Sequence, residues 1–198
     1  MPTLVIVAGP NGSGKSTLVR TGALSHLFDV PAISINADDI ARMFAAGGQP
    51  SGEQSLYAAQ VSDALLDDQI EAGRPVIIET VLSSDKYKNR VLTARAAGFK
   101  VVLVYVSVRL PEINVARVAN RLILGGHDVP SDRILARRSR SHERFAWFAN
   151  EADQVFVFDN STASPTIAAF KDGSGWTMLG LAALADDLSA TITRLAGA

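Results

Sequence analysis

The segment LVIVAGPNGSGKST, Leu4 to Thr17, runs without interruption from an apolar stretch through a glycine-rich turn into a helix-forming stretch. From Gly9 the turn reads G-x-x-x-x-G-K-S. A buried strand that enters a helix through so short a turn is the first half of a strand–helix–strand crossover, which demands a parallel neighbour. Glycines at 9, 12 and 14 let the backbone turn tightly and approach an anion, with the loop amides and the helix N-terminus facing it. Gly9, Asn11, Gly12, Ser13, Gly14, Lys15, Ser16 and Thr17 are therefore expected to cradle a nucleoside triphosphate. Lys15 should reach its β- and γ-phosphates, and the Ser16 hydroxyl should ligate Mg²⁺.

The rest of the chain repeats the alternation. Strand-length apolar runs occupy Thr3 to Gly9, Pro31 to Asn36, Pro75 to Thr80, Lys100 to Val108 and Gln154 to Asn160. They are almost continuously apolar, as strands covered on both faces should be. Helical patterns lie between them at Lys15 to Leu27, Asp38 to Ala46, Gly52 to Ala72, Ser84 to Ala97, Pro111 to Leu124 and Ser131 to Asn150. The expectation is an α/β chain of the P-loop nucleotide-binding class, with a mostly parallel five-stranded sheet flanked by helices. The tail predicts a small hairpin about an Asp172-Gly173 turn, then an amphipathic helix covering the sheet edge. One domain is expected over all 198 residues.

Composition narrows the function classes. The net charge of −1 gives no reason to expect nucleic acid or an acidic membrane as partner. There is no cysteine, which excludes disulfides, thiolate catalysis and thiolate metal sites. The first residues lack a basic leader and the apolar runs are too short to span a bilayer, so a cytoplasmic location without membrane contact is expected. His26, His127 and His142 are scattered, which argues against a protein-built zinc site; His26 and His142 are read as surface residues.

Ligands in such sheets bind at the carboxyl ends of the strands, so the residues just after each strand are the candidates. After the second strand, Asn36, Asp38 and Asp39 start a helix. Any of the three can be its N-cap, and Asp38 can equally accept a proton from a substrate hydroxyl. Arg42 lies one turn on, able to hold a phosphate or to pair with the aspartates. Glu79 closes an otherwise apolar strand and needs a partner, with Mg²⁺ and its waters or a substrate as the natural choices. Thr80 and Ser83 add hydroxyls suited to an acceptor. Beyond Gly125-Gly126, a helix capped by Ser131 or Asp132 carries Arg133, Arg137, Arg138, Arg140 and Arg144, with Leu135, Phe145 and Phe148 as its anchors. This predicts a hinged helical lid over about 125–150 that closes basic groups on the phosphates, with Arg121 pointing inward from the preceding helix and His127 in the hinge loop. A solvated basic face is the alternative.

Taken together, GPNGSGKST, INADDIA, IIETVLS, GGHDVPSDRILARRSRS and VFDNS resemble the zeta-toxin-like kinases, in the branch labelled predicted ABC-type ATPases. The resemblance runs from Thr3 to about Ser161. It implies a small ATP- and Mg²⁺-dependent kinase that phosphorylates a sugar hydroxyl of UDP-N-acetylglucosamine and is restrained by a small helical antitoxin. By position it implies Asp38 as catalytic base, Lys15 and Ser16 as nucleotide and Mg²⁺ residues, and Glu79 and Thr80 in the acceptor segment. Arg121 falls near an arginine on the transferred phosphate. A second lid arginine falls near His127, with Arg137 and Arg138 a few residues on. The basic residue three after the aspartate is replaced by Ala41, with Arg42 following.

No L-S-G-G-Q signature, Asp-Glu pair or N-K-x-D motif is present. The leading expectation is therefore transfer of the phosphoryl group to a small-molecule acceptor. A nucleotide hydrolase or switch, and a non-catalytic nucleotide-binding module, are the competing readings.

Overall fold

The computed structural model describes residues 1–22, 24, 33–46, 48–123 and 129–197. Strand β1 (Thr3–Ala8) leads into α1 (Lys15–Arg20), followed by β2 (Ile33–Ile35), α2 (Ala37–Phe44), α3 (Gly52–Glu71) and β3 (Val76–Thr80). Next come α4 (Lys88–Ala96), β4 (Lys100–Ser107), α5 (Pro111–Ile123), α6 (Ser131–Glu151) and β5 (Gln154–Asp159). The chain ends with β6 (Thr166–Asp172), β7 (Gly175–Met178) and α7 (Asp186–Ala196). Of the expected first helix, the part beyond residue 22 lies almost wholly outside the described residues, as do His26, His127 and the Gly125-Gly126 pair.

The strands form one sheet in the order β2-β3-β1-β4-β5-β6-β7. The first five are parallel, and β6 and β7 add antiparallel. The expected count of five thus becomes seven. The tail hairpin is not a separate appendage, because β6 pairs along β5 from Val155↔Lys171 to Asp159↔Thr166. Physically, the hairpin saturates the β5 edge, whose free amides and carbonyls would otherwise stay open to another chain.

β1 lies between β3 and β4, with Leu4 opposite both Val76 and Val101. Its residues alternate between two cores, as the strand period requires. Leu4 and Ile6 join Ile78, Leu103, Tyr105, Leu66, Phe145 and Phe148 on one face. Val5 and Val7 join Val102, Val104, Val106 and Leu18 on the other. The closing helix α7 was expected at the sheet edge. Leu188 and Ile192 instead enter the larger core beside Tyr105 and Phe145, so α7 covers a face.

The helix α6 departs most from expectation. Ile134, Arg138, Ser141, His142, Phe145, Phe148 and Ala149 are all buried, so this helix is seated in the core along its length. The hinged lid expected over about 125–150 is therefore not the whole helix. Leu135, expected to anchor it, is 44% exposed, because the buried stripe passes through Ile134 and Arg138 instead. Pro130 occupies the N-cap position, without a side-chain cap from Ser131 or Asp132. His142 is buried rather than superficial, its Nδ1 2.7 Å from Asp187 Oδ2 of α7. No helix among the described residues is long and apolar enough to cross a membrane.

Phe145 is fully buried and meets Tyr105 edge-on at 4.9 Å between ring centroids. It joins α6 to β4. Phe145→Ala should destabilise the fold by about 3–5 kcal/mol, the range for truncating a buried phenylalanine, as read by urea denaturation.

Candidate functional site

The crossover from β3 to β4 passes over β1, so a crevice opens at the carboxyl end of β1. Residues 9–14 fill its floor. The loop closes on itself through Ser13 N–H donating to Pro10 O at 3.2 Å. Its glycines are required by what lies behind the loop. A Cβ on Gly12 (φ 72°) would stand 2.5 Å from Asn114 O, and one on Gly14 (φ 99°) would stand 2.1 Å from Asn160 Nδ2. Asn160 Nδ2 also donates to Ser13 O at 2.8 Å, and Asn114 Nδ2 to Asn11 O at 2.6 Å. The loop is thus held from outside by two asparagine amides.

Lys15 begins α1 and is nearly buried. Its Nζ donates to Pro10 O at 2.9 Å. Burial pushes its ammonium down to about 8, against the opposing pull of the Glu79 and Asp38 carboxylates, while Arg121 pushes the same way as burial. Ser16 Oγ donates to Glu79 Oε1 at 2.5 Å. Its proton is thereby directed at the carboxylate, and its lone pairs remain available to a cation. Glu79 Oε2 accepts from Asn36 Nδ2 at 2.8 Å. The glutamate at the end of β3 therefore has protein partners of its own, a serine and an asparagine, in addition to any cation it helps to place.

The same asparagine sorts the aspartates. Asn36 Oδ1 accepts from Asp38 N at 2.9 Å and is the N-cap of α2. Asp39 pairs with Arg42, on the exposed side of the helix. The carboxylate of Asp38 has neither task and lines the cavity.

That cavity measures about 700 Å³. Among the sequence-predicted residues it gathers Asn11, Gly12, Gly14, Lys15, Ser16, Thr17, Asp38, Glu79, Thr80, Ser83, Arg121 and Arg137. Gly9 and Ser13 support the loop from beneath without lining it. Arg42 stays with Asp39 outside. Arg138, expected to bind substrate, is turned into the protein, where Nη1 donates to Val108 O at 2.9 Å and Nη2 to Arg109 O at 2.9 Å. It lies on the buried stripe of α6, whereas its neighbour Arg137 faces the cavity. Arg133 and Arg140 are exposed, and Arg144 pairs with Asp85 at 3.2 Å. His127 lies outside the described residues.

Arg20, Lys86, Tyr87, Arg117 and Asn120 also line the cavity and were missed. Arg117 was the most readable of them, since it stands one helical turn before Arg121 on the same face of α5.

The residues fit a nucleotide with its cation. Asn11, which lines the cavity, has its Oδ1 buried with no hydrogen-bond partner among the described residues, as expected where a ligand completes the site. Lys15 supplies a charge for phosphate, and Ser16 with Glu79 an oxygen donor set for Mg²⁺.

Fold and site together define a P-loop α/β protein whose cavity is built at the carboxyl end of the central strand. Residues 4–152 match the family model AAA_33, an AAA domain, and the chain belongs to that family. An uncharacterized protein of Haemophilus influenzae is 32% identical over 133 residues, which is 67% of this chain and 90% of the relative. Among solved structures, the fold is similar to that of the AvrRxo1-ORF1:-ORF2 complex with ATP. There the TM-score is 0.69 at 15% identity, over 99% of this chain and 77% of the other. It is similar also to the PezAT chromosomal toxin–antitoxin system of Streptococcus pneumoniae, with TM-score 0.68 at 14% identity, over 98% and 78% of the two chains.

The depressed Lys15 fixes a sign. Between pH 8 and 10.5 the unfolded chain holds a proton on this amine that the folded chain has released, so this group makes the fold more stable as pH rises through that window. Below pH 8 the fold carries the cost of a buried charge. Lys15→Met should therefore be more stable than the wild type at pH 7, by about 1–3 kcal/mol. The gap should close by about pH 10.5, the ordinary lysine value. Denaturant titrations at the two pH values measure it; a gap that is absent at pH 7, or that persists unchanged, contradicts the burial of the charge.

Proposed function

We propose that this chain is an ATP-dependent phosphotransferase of the zeta-toxin type, moving the γ-phosphate of ATP to a hydroxyl of a small molecule. A UDP-activated amino sugar is the acceptor class that the sequence resemblance favours. The observation that carries the reading is the meeting in one cavity of Lys15 and Ser16 with an uncommitted carboxylate, Asp38, and with Arg121 and Arg137 from two other helices. The likeness of fold to the AvrRxo1 complex solved with ATP and to the PezAT toxin–antitoxin system supports it. A small helical antitoxin belongs to the same proposal as a partner, and the cytoplasm as the place of action.

In this reading the loop amides and Lys15 hold the β- and γ-phosphates. Ser16, with Glu79 behind it, would hold Mg²⁺, which would supply positive charge against the phosphates. Asp38 accepts the proton of the acceptor hydroxyl as its oxygen bonds to the γ-phosphorus and the bond to the bridging oxygen of ADP breaks. Arg121 and Arg137 meet the charge that spreads over the equatorial oxygens. Thr80 and Ser83, on the segment after β3, contact the acceptor.

The test is incubation with γ-labelled ATP and a small-molecule extract, with mass spectrometry of the labelled product. Asp38→Asn should keep ATP binding and cut transfer by about 10²–10⁴-fold. Arg121→Ala and Arg137→Ala should lower transfer far more than binding. ATP consumed with no labelled metabolite would make the protein a hydrolase. Full transfer by Asp38→Asn would remove the base from this role.

A further inference from the structure

Arg138 is a cation turned away from the cavity and almost fully buried, at 7% exposure. Besides the carbonyls of Val108 and Arg109, its Nη1 donates to Asn114 Oδ1 at 3.2 Å. A guanidinium can only donate, so Asn114 must present its oxygen to Arg138. Its amide nitrogen is thereby committed to the opposite side, where it donates to Asn11 O at 2.6 Å. Asn114 is itself wholly buried. At the next loop residue, the backbone of Gly12 packs so closely on Asn114 O that a methyl group has no room.

We infer that Arg138 is a positioning residue of the phosphate loop, acting through Asn114. The two form a buried clasp that ties α6 and the turn after β4 to the outer side of residues 11–14. Neither residue lines the cavity. The clasp nevertheless joins the three elements that build it. The loop is held directly. Arg117 and Arg121 lie one and two turns beyond Asn114 on α5, and Arg137 is the neighbour of Arg138 on α6. The Asn11 end of the loop and the placement of the cavity arginines are therefore linked through one shared contact, while Asn160 holds the loop at Ser13.

The inference rests on the nucleotide-binding half of the function proposed above, and two readouts keep them apart. Asn114→Asp preserves shape and pairs with Arg138, yet its carboxylate cannot donate to Asn11 O. Arg138→Lys keeps the charge but replaces a rigid fork by a point donor. Amide hydrogen exchange in the free proteins should quicken by about tenfold at residues 11–16 in both variants, while β1 and β4 keep their protection. The Kd for ATP·Mg²⁺ should rise by about tenfold in each. The double variant should be no weaker than the worse single variant, because the two contacts act in series. Unchanged exchange at the loop, acceleration spread evenly over the chain, or additive losses in the double variant would each overturn the clasp. If wild-type protein fails to bind ATP·Mg²⁺ while the loop still loosens in the variants, the clasp stands and the kinase reading falls.

Discussion

Everything at the candidate site depends on β1 being the central parallel strand, paired with β3 on one side and β4 on the other. Its six residues are all buried, so no backbone polar group on it can turn to water, and the chain can leave the sheet only at Ala8. The tight loop, the helix behind it and the cavity above it follow from that confinement. Val7 lies beside Glu79 in the sheet, which brings the end of β3 within reach of Ser16. The strand that makes the fold also brings the loop serine and the Glu79 carboxylate together.

The cavity carries an unbalanced charge. Lys15, Arg20, Arg117, Arg121 and Arg137 face Asp38 and Glu79 across it, while Lys86 is engaged by Asp63 at 2.8 Å. Burial already disfavours the Lys15 ammonium. A polyanion entering the cavity relieves both strains, since it restores a partner to the buried cation and screens the arginines from one another. The free protein is thus built slightly against its own stability at the point where a nucleotide is expected, a common cost of a prepared site.

The helix α6 shows how structure and function share one element. Its buried stripe, Ile134, Arg138, Ser141, Phe145 and Phe148, runs along the core. Ser141 Oγ donates to Val81 O at 2.7 Å and, its proton so used, accepts from Tyr105 OH at 2.7 Å. This steadies the turn beyond β3 next to Leu82, a non-glycine residue at φ 60°. A helix fixed by these contacts places Arg137 as part of the scaffold.

The sequence by itself determined the nucleotide loop, the alternation of strands and helices, and most of the residues around the cavity. These are local patterns, in which a glycine spacing or an apolar period carries its physical cause within a few neighbouring positions. Asp38 remained open between cap and base, because both roles ask for a short acid at the start of a helix. The bond from Asp38 N to Asn36 Oδ1 gives the cap to Asn36 and leaves the Asp38 carboxylate without that task. Arg137 and Arg138 are both expected at the site from the sequence, the first for catalysis and the second for substrate, although adjacent helical residues point about 100° apart. The spacing of Ile134, Ser141, Phe145 and Phe148 would have put Arg138 on the inward face. Its partners Val108, Arg109 and Asn114 lie 24 to 30 positions away. Likewise Asn160 reaches Ser13 across 147 positions. Such contacts have no local signature, because they arise only when parallel strands distant in the chain bring their ends to one edge of the sheet. That is why tertiary structure alone decided what holds the loop and which arginine faces the site.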